Sequence, residues 1–346
     1  MTSWVFEDDV AAMVRSLQAE WPKLADKRLF LTGGTGFIGR WMLTALVEAD
    51  RQLDLGVQVD VLTRDAASAV LRLGDLAASR GINLVEGDVR ELKPQGSRYD
   101  FVIHAATDAS ADLNENDPLR MFDTIVEGTR AALDFSRALD AKRVFFLSSG
   151  AVYGAQPWQV THVDEEFRGA PDLMTHRSSY AEGKRAAEML CAIYRKQFGI
   201  DIVNARIFAL LGPLLSLDIH FAAGNFIRDA MAGRQIVVQG AGTAVRSYLY
   251  AADLAVWLWK LLLAAKPGAT YNVGSEEGVS IAELASRVAA VLGAPGVTIL
   301  GEEDKGWNPG RYVPATGRIR NELGVVPTVG LDEAIRRTAL WNGWTE

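Results

Sequence analysis

Tyr180 and Lys184 lie four residues apart, and on a helix this spacing places both side chains on one face. An ammonium group beside a phenol stabilises the phenolate and lowers the tyrosine pKa towards neutrality. The tyrosine can then exchange a proton with an alcohol or carbonyl oxygen. Ser149 ends an apolar segment, and its hydroxyl can donate a second hydrogen bond to that oxygen. These residues predict acid–base chemistry at a carbonyl or alcohol carbon.

Each of these residues also has a structural interpretation. A tyrosine and a lysine at this spacing are usually part of a solvated helix face. Ser148 or Ser149 can simply cap the turn that follows a strand. The catalytic interpretation is favoured by a glycine pattern nearer the N-terminus.

Gly33, Gly36 and Gly39 lie between an apolar strand and a helical segment. One glycine permits a tight turn, the next lets the backbone approach a phosphate, and the third lets helix and strand pack closely. The helix N-terminus adds free N–H groups and a positive dipole end. The pattern predicts a site for a dinucleotide pyrophosphate, made of Gly33, Thr35, Gly36, Phe37, Ile38 and Gly39. Hydride would then move to or from a nicotinamide while Tyr180 exchanges the proton.

Strands and helices alternate along most of the chain. We expect strands at 28–31, 57–63, 83–86, 100–104, 143–148 and 201–207, and helices at 38–49, 66–79, 118–139 and 179–198. Several strands are continuous apolar runs, which suit strands buried on both faces. The alternation predicts an α/β fold with a doubly wound parallel sheet. A polar run at 48–52 should lengthen the first connection between helix and strand.

The residue pattern near both ends of the chain differs from the alternation of strands and helices between them. Residues 5–21 carry apolar side chains at helical spacing and predict an amphipathic helix. Beyond residue 208, glycines and prolines separate shorter elements, which predict a smaller lobe. The expected parts are an N-terminal helical extension at 1–27, a dinucleotide-binding domain at 28–208 and 246–274, and a substrate-binding lobe at 209–245 and 275–346.

The bulk composition excludes several classes of protein. The net charge of -7 argues against a general nucleic-acid-binding protein. Cys191 is the only cysteine, so no intrachain disulfide or cysteine-based zinc site can form, and we expect no metal site. No stretch has the apolar length of a membrane-spanning helix, and the N-terminus lacks a signal pattern. We therefore expect a cytoplasmic protein.

Seven motifs follow one another in a characteristic order. They are Gly33–Gly39, Gly87-Asp88-Val89, His104-Ala105-Ala106, Ser148–Gly154, Tyr180 with Lys184, Arg246-Ser247-Tyr248 and Tyr271-Asn272-Val273-Gly274. Together they resemble the extended short-chain dehydrogenases/reductases, in the nucleotide-sugar epimerase/dehydratase branch. The resemblance implies a Rossmann-like sheet, an NAD(P) cofactor and a nucleotide-diphosphate sugar as substrate. It also implies a homodimer that joins through helices 118–139 and 179–198.

The resemblance implies roles for single residues. The residues expected beside the adenine are Asp88 and Val89, and those along the cofactor are Ala105 and Ala106. The implied catalytic residues are Ser149, Tyr180 and Lys184, and the lysine can also reach the nicotinamide ribose. Ser149 is preferred over Ser148 because it precedes Tyr153 by four residues, as the catalytic hydroxyl of the family does.

In the substrate lobe, Asn225 matches the family asparagine near the sugar diphosphate. Arg246 matches the arginine that clamps the diphosphate, a role that suits a guanidinium fork. Its structural alternative is a surface salt bridge, and Arg311 is a weaker second candidate.

The two residues after Ser149 limit which reactions of the family this chain is expected to catalyse. Family dehydratases carry an Asp-Glu pair there and decarboxylases keep the Glu, whereas this chain has Gly150 and Ala151. The resemblance therefore favours a 4-ketoreductase, with a 4-epimerase as the alternative. A reductase of a non-nucleotide carbonyl and a non-catalytic dinucleotide sensor are further alternatives.

The cofactor preference depends on the end of the second strand. Members that prefer NAD place an acid there for the adenosine ribose, whereas this chain has Thr63 followed by Arg64. An arginine can pair with a 2′-phosphate, so NADP(H) is favoured and NAD(H) remains possible. Asp60 and Asp65 lie close in sequence, and a shifted alignment would restore an acid.

Overall fold

The central element of the structure is a parallel sheet of seven strands. A computed structural model of the chain describes residues 4–94, 98–107, 110–218, 222–302 and 310–345. The strands are β1 (Arg28–Thr32), β2 (Gln58–Thr63), β3 (Ile82–Glu86), β4 (Phe101–His104), β5 (Arg143–Ser149), β6 (Ile202–Ile207), β7 (Leu210–Leu211), β8 (Ile236–Val238), β9 (Val245–Ser247), β10 (Leu249–Tyr250), β11 (Thr270–Val273), β12 (Gly278–Ser280), β13 (Val297–Ile299) and β14 (Arg311–Tyr312). Seven of these strands form the large sheet, in the order β3-β2-β1-β4-β5-β6-β11, and every neighbouring pair in it is parallel. The other strands form small separate sheets. The predicted α/β fold is confirmed.

Helices cover both faces of this sheet. They are α1 (Phe6–Ser16), α2 (Phe37–Leu53), α3 (Ala66–Leu73), α4 (Ala111–Asn116), α5 (Pro118–Ala138), α6 (Ser179–Phe198), α7 (Ala222–Met231), α8 (Ala251–Ala264), α9 (Ile281–Leu292), α10 (Gly317–Leu323) and α11 (Leu331–Trp341). One face packs against α5 and α6, and the other packs against α1, α2 and α8. Within the described residues, no helix is both long enough and apolar enough to cross a bilayer.

Alternate residues of each strand enter different cores. Leu29 and Leu31 of β1 pack beneath α2 and α8, whereas Phe30 packs beneath α5 and α6. Phe145 and Phe146 of β5 divide in the same way. Because both faces are buried, these strands have no polar side to present to water and appear in the sequence as continuous apolar runs.

Two helices differ from the sequence prediction. The polar residues 48–52 do not lengthen a connection, because they form the last turns of α2. There Glu48 accepts hydrogen bonds from Arg51 and Gln52 on the solvent face. The helix predicted at 66–79 is shorter, since α3 ends at Leu73 and a 3₁₀ helix continues over Gly74–Ala78.

The N-terminal segment packs tightly on the rest of the fold. The amphipathic helix predicted at 5–21 divides into α1 and a 3₁₀ helix at Trp21–Leu24. Asp9 of α1 is buried and accepts hydrogen bonds from Tyr250, at the end of β10, and from Arg337 of α11. A single carboxylate therefore connects the first helix to the last.

The C-terminal part of the chain adds short strands around the carboxyl edge of the sheet. One three-stranded sheet has the order β12-β9-β14, and in it Arg246 pairs in register with Tyr312. Between these strands the chain returns to the large sheet, where β11 pairs with β6. Because β6 is the neighbour of β5, this pairing brings β11 close to β5, although the two strands lie far apart in the sequence.

Candidate active site

The predicted catalytic residues meet at the carboxyl end of β5, where parallel sheets bind their ligands. Ser149 is the last residue of β5, and Tyr180 and Lys184 lie in the first turns of α6. Asn114 of α4 holds the start of α6. Its side-chain oxygen accepts a hydrogen bond from Tyr180 N (3.0 Å), and its amide donates to Arg177 O (2.8 Å). Asn114 was not identified from the sequence.

The pKa of the Tyr180 phenol is raised by burial, and its hydrogen bond with Ser149 opposes the shift. The lowered pKa predicted from the neighbouring ammonium is therefore wrong for this structure. Removal from water disfavours the phenolate more than the hydroxyl group of Ser149 favours it. The phenol consequently remains protonated at neutral pH and is available as an acid.

Lys184 is buried and points along β5 (3% exposed). Its Nζ donates to Thr107 Oγ1 (2.8 Å) and to Leu147 O (2.7 Å), and it lies 4.9 Å from the centroid of the Phe146 ring. Burial lowers the pKa of Lys184 to about 7, and the carboxylate of Glu188 opposes this shift. Thr107 directly follows the predicted cofactor residues Ala105 and Ala106. Its contact with Lys184 was not predicted from the sequence.

The two serines at the end of β5 face different surroundings. Ser148 Oγ donates to Glu188 Oε1 (2.6 Å), and Glu188 is ion-paired with Arg206 (2.6 Å). Arg206 in turn donates to the hydroxyl of Tyr153 (2.8 Å). Ser148 is thus occupied in a polar network, whereas Ser149 lies beside Tyr180, which agrees with the preference for Ser149.

Tyr312 belongs to the same cluster, although it lies far from Ser149 in the chain. Its Oη lies 3.4 Å from Ser149 Oγ and 3.4 Å from Ile207 O. Burial raises the pKa of Tyr312, and the Ser149 hydroxyl opposes the shift. The sequence singled out its neighbour Arg311 instead, because no local pattern marks a residue brought in by the pairing of β14 with β9.

The space beside Gly150 is filled by an aromatic ring. A Cβ atom on Gly150 would lie 2.6 Å from Cζ of Phe208, and the Phe208 ring packs against that of Tyr312 with centroids 4.5 Å apart and a tilt of 35°. Such a Cβ distance is below any van der Waals contact. The packing therefore excludes an acidic side chain from position 150.

We expect Gly150→Ala to destabilise the fold by about 1–3 kcal/mol, the usual cost of overpacking a core. The substitution Phe208→Leu should recover part of this loss in the double variant, because it removes the ring that the new methyl group meets. Denaturant unfolding of the two single variants and the double variant measures the coupling. Strictly additive effects would contradict the contact.

The glycine-rich loop has the geometry expected of a pyrophosphate site. Gly33 has φ +75°, and a Cβ there would lie 2.7 Å from the backbone of Ala105. A Cβ on Gly39 would lie 2.5 Å from Gly33 O, so helix and loop touch through this residue. Thr35, Phe37 and Ile38 lie between these contacts, at the end of the loop and the start of α2.

The surroundings of Gly36 show whether the loop has room for the diphosphate of a dinucleotide. It is the N-cap of α2, provides no side-chain cap and is exposed. A Cβ on it would contact Gly33 O alone (3.3 Å), so the space in front of the helix end is open. Uncapped N–H groups that face open space suit a diphosphate, and the loop therefore fits the cofactor.

Hydrogen bonds to β1 fix the backbone of Ala105 and Ala106. Both N–H groups donate to Thr32 Oγ1 (3.2 and 3.1 Å), and this hydroxyl is 2.9 Å from His104 Nδ1. His104 Nε2 lies 3.1 Å from the hydroxyl of Thr129. Burial lowers the pKa of His104 to about 3, so the ring is neutral and has a structural role.

The adenosine end of the loop lies at the end of β2. Arg64 follows this strand and is exposed. Asp60 is occupied, because Arg28 (2.7 Å) and Tyr99 (2.6 Å) donate to it. Asp65 is occupied too, since it caps α3 by accepting from Ser68 N (3.0 Å). Both acids therefore already accept hydrogen bonds within the fold.

Asp88 lies in the turn after β3 and forms an ion pair with Arg90 (2.9 Å). This pair, together with the more distant Arg64, keeps the pKa of Asp88 below its usual value. Val89 is buried and closes the turn.

The predicted substrate residues differ in how close they lie to the Ser149 cluster. Arg246 lies beside Tyr312, and its Nη1 donates to Val245 O (2.9 Å) and Gly310 O (3.3 Å). Among the described residues its guanidinium has no carboxylate partner. Asn225 is half-buried in α7, and the described contacts do not bring it to the Ser149 cluster. Arg311 stacks on Trp158, 4.4 Å from the ring centroid.

The sequence matches a known family over most of its length. A profile of the NAD dependent epimerase/dehydratase family matches residues 29–274. The chain belongs to this family. The predicted resemblance is therefore confirmed, and the protein is an enzyme of an NAD-dependent family.

Two curated relatives illustrate the chemistry of the family. UDP-glucuronic acid decarboxylase 6 of Arabidopsis thaliana is 30% identical over 311 residues, which cover 90% of this chain and 87% of the relative. A dTDP-glucose 4,6-dehydratase of Streptomyces niveus is 27% identical over 321 residues, covering 91% of this chain and 92% of the relative. By their names, both relatives act on nucleotide sugars.

Solved structures of the family have the same fold. A dTDP-glucose 4,6-dehydratase from Streptomyces venezuelae with NAD bound superposes with a TM-score of 0.78 at 25% identity, over 91% of this chain and 96% of that one. A UDP-N-acetylglucosamine 4-epimerase from Methanobrevibacter ruminantium gives 0.79 at 22% identity, over 92% and 98%.

Proposed function

We propose that this protein is an NAD(P)-dependent 4-ketoreductase of a nucleotide-linked sugar, in which hydride transfer at the sugar carbonyl carbon is coupled to a proton from Tyr180. The observation that carries the proposal is the composition of the cluster at the end of β5. It holds hydroxyl groups and an ammonium, while positions 150 and 151 are Gly and Ala with the Phe208 ring packed against them. By the resemblance to the family, dehydratases carry an Asp-Glu pair at those positions and decarboxylases keep the Glu, whereas hydride transfer needs no acid there.

Each residue of the cluster has a role in this reaction. Tyr180 donates its proton to the carbonyl oxygen, and Ser149 donates a hydrogen bond to the same oxygen. Lys184, held by Thr107 and Leu147 O, supplies positive charge behind the site. When bound, the dinucleotide supplies the hydride, and the loop from Gly33 to Gly39 holds its diphosphate.

The protonation state of Tyr180 agrees with ketone reduction, as that of any phenol with a pKa of about 10 or above does. Because burial raises the pKa of this phenol, it carries its proton at neutral pH. A protonated phenol is the form that reduction of a ketone requires, whereas oxidation of an alcohol requires the phenolate.

A nucleotide-diphosphate sugar is supported by Arg246. Arg246 pairs in register with Tyr312, and in the described part of the chain its guanidinium donates to two backbone carbonyls, so its charge is left for an anion. We keep Asn225 as a second candidate contact from the lobe. The names of the relatives, which include UDP- and dTDP-sugar enzymes, agree with this class of substrate.

A 4-epimerase is the second candidate. It is favoured by the likeness of the whole fold to solved UDP-sugar 4-epimerases. An epimerase oxidises and re-reduces one carbon with a retained cofactor, and it needs no carboxylate at positions 150 and 151.

The experiment that tests the proposal uses the purified protein with UDP-, dTDP-, CDP- and GDP-linked sugars and their 4-keto forms. We expect stoichiometric oxidation of NADPH with a 4-keto sugar nucleotide. Interconversion of 4-hydroxy sugars without net NADPH consumption would establish the epimerase instead. Release of CO₂ from UDP-glucuronic acid, or of water from dTDP-glucose, would refute both.

We expect Arg64→Asp to shift the ratio of NADPH to NADH dissociation constants towards NADH by about tenfold to 100-fold, the size of a lost charge-assisted hydrogen bond. The reason is that we propose Arg64 as the residue that pairs with the 2′-phosphate. Fluorescence titration with both cofactors measures the ratio. Arg80→Asp is the matched control, because Arg80 is paired with Asp54 on the surface and should leave the ratio unchanged.

We also propose a homodimer that joins through α5 and α6. Large apolar side chains are exposed on these helices, namely Leu119, Met189, Ile193 and Phe198. Light scattering of the purified protein tests this assembly.

A further inference from the structure

The hydroxyl of Ser149 lies between two phenols. On one side it interacts with Tyr180, whose pKa it lowers, and on the other it lies 3.4 Å from Tyr312 Oη. The same oxygen accepts a hydrogen bond from Ala151 N (3.1 Å). The proposed function uses Tyr180 and Ser149 and leaves Tyr312 without a role.

Packing fixes the position of the Tyr312 ring. The ring packs against Phe208 with centroids 4.5 Å apart, and Phe208 is pressed against Gly150. The backbone of Tyr312 pairs in register with Arg246 in the strand β9. A side chain held by a strand pairing and a ring contact presents its hydroxyl group at a defined place rather than as a mobile surface group.

A count of protons and lone pairs shows what this hydroxyl group can do. A serine hydroxyl has one proton and two lone pairs. The N–H of Ala151 fills one lone pair. Tyr312 Oη lies 3.4 Å from both Ser149 Oγ and Ile207 O, and its single proton fills the other lone pair when it turns to Ser149 rather than to Ile207 O. With both lone pairs filled, the proton of Ser149 is left for the oxygen that reacts.

The second acceptor near Tyr312 is Ile207 O, also at 3.4 Å. When Ser149 donates to an oxygen that gains negative charge, the serine oxygen becomes a better acceptor, because hydrogen bonds in a chain strengthen one another. The Tyr312 proton is therefore drawn towards Ser149 as the reaction proceeds. Hydrogen bonds of this kind are often long before the substrate binds.

We propose that Tyr312 is a positioning residue for Ser149: its phenol donates to the serine oxygen and so directs the serine proton at Tyr180 in the free enzyme and at the carbonyl oxygen once the substrate is bound. The proposal rests on the proposed function for its effect on turnover. The contacts of Ser149 with Tyr312 and with Tyr180 are present without any substrate.

The first test is a double-mutant cycle. Tyr312→Phe keeps the ring on Phe208 and removes only the hydroxyl group, and we expect kcat to fall about threefold to tenfold with KM little changed, the effect of one hydrogen bond. In the background of Ser149→Ala, the same substitution should have no further effect. An undiminished effect in that background, or none in the wild-type background, would overturn the proposal. Tyr271→Phe is the control, since it removes a hydroxyl bonded to Glu322 (2.9 Å).

The second test needs no substrate. In protein with ¹³Cζ-labelled tyrosine and bound cofactor, NMR titration follows the Tyr180 phenol. Tyr312→Phe should raise the pKa of Tyr180 when Ser149 is present and leave it unchanged in Ser149→Ala, while Ser149→Ala alone should move the Tyr312 signal. If no sugar nucleotide is turned over but these shifts occur, the proposed function fails and the positioning role stands. If turnover occurs without these shifts, the positioning role fails alone.

Discussion

Tyr180→Phe is expected to lower kcat by about 100-fold to 10,000-fold, the range that a general acid contributes. The substitution keeps the ring and removes the one proton that the mechanism transfers. Hydride transfer is measured by single-turnover oxidation of NADPH with a 4-keto sugar nucleotide. Tyr194→Phe is the matched control, because this phenol lies on the same helix and is bonded to Asp134 (2.8 Å), away from Ser149.

The pH profile adds a second check on Tyr180. Since burial raises the pKa of this phenol, its acid form persists through neutral pH, and loss of its proton should lower the rate of reduction at alkaline pH. A separate change near pH 7 is expected from Lys184, whose pKa burial lowers to about 7. The alkaline limb should disappear in Tyr180→Phe. Wild-type-like turnover in that variant would refute the assignment of the acid.

Gly36→Val is expected to raise the dissociation constant of the cofactor by a factor of about 100 or more. A valine side chain at the open end of α2 would occupy the space in front of its free N–H groups. Losing two hydrogen bonds to a diphosphate, at about 1.5–3 kcal/mol each, gives a change of this size. Calorimetric titration with NADPH and NADH measures the affinity.

Gly330 provides a matched control for this substitution. It is the N-cap of α11 with φ -71° and ψ 166°, close to the -79° and 176° of Gly36, and a Cβ on it would meet nothing within 4 Å. Gly330→Val therefore imposes the same backbone change at a helix far from the loop. Equal cofactor affinity in the two variants would show that the loop does not hold the diphosphate.

Local patterns in the sequence were enough to predict most of the fold. The strands could be identified because burial on both faces makes them continuous apolar runs, and α6 was predicted at 179–198, where it is found. The end of α2 was missed because Glu48, Arg51 and Gln52 form a polar surface network on the helix, and in sequence such a network resembles a loop.

The site could be predicted only where its residues lie close together in the chain. The spacing of Tyr180 and Lys184 and the glycine pattern are local. Tyr312 and Phe208 enter through strand pairing and ring packing, which no spacing reveals. The pKa of Tyr180 was predicted in the wrong direction, because desolvation depends on the whole surrounding fold and not on one neighbour.

The buried carboxylate of Asp9 has a consequence for anyone who trims this protein for expression. Deleting the first 27 residues, a natural choice because the sheet begins at Arg28, would leave the buried hydroxyl of Tyr250 without its acceptor and would leave Arg337 with Glu333 alone. It would also uncover the hydrophobic surface now packed against Leu17 and Trp21, both fully buried. A buried hydroxyl without its acceptor destabilises the fold, and newly exposed apolar surface favours aggregation. Purification tags are therefore better placed ahead of α1 than substituted for it.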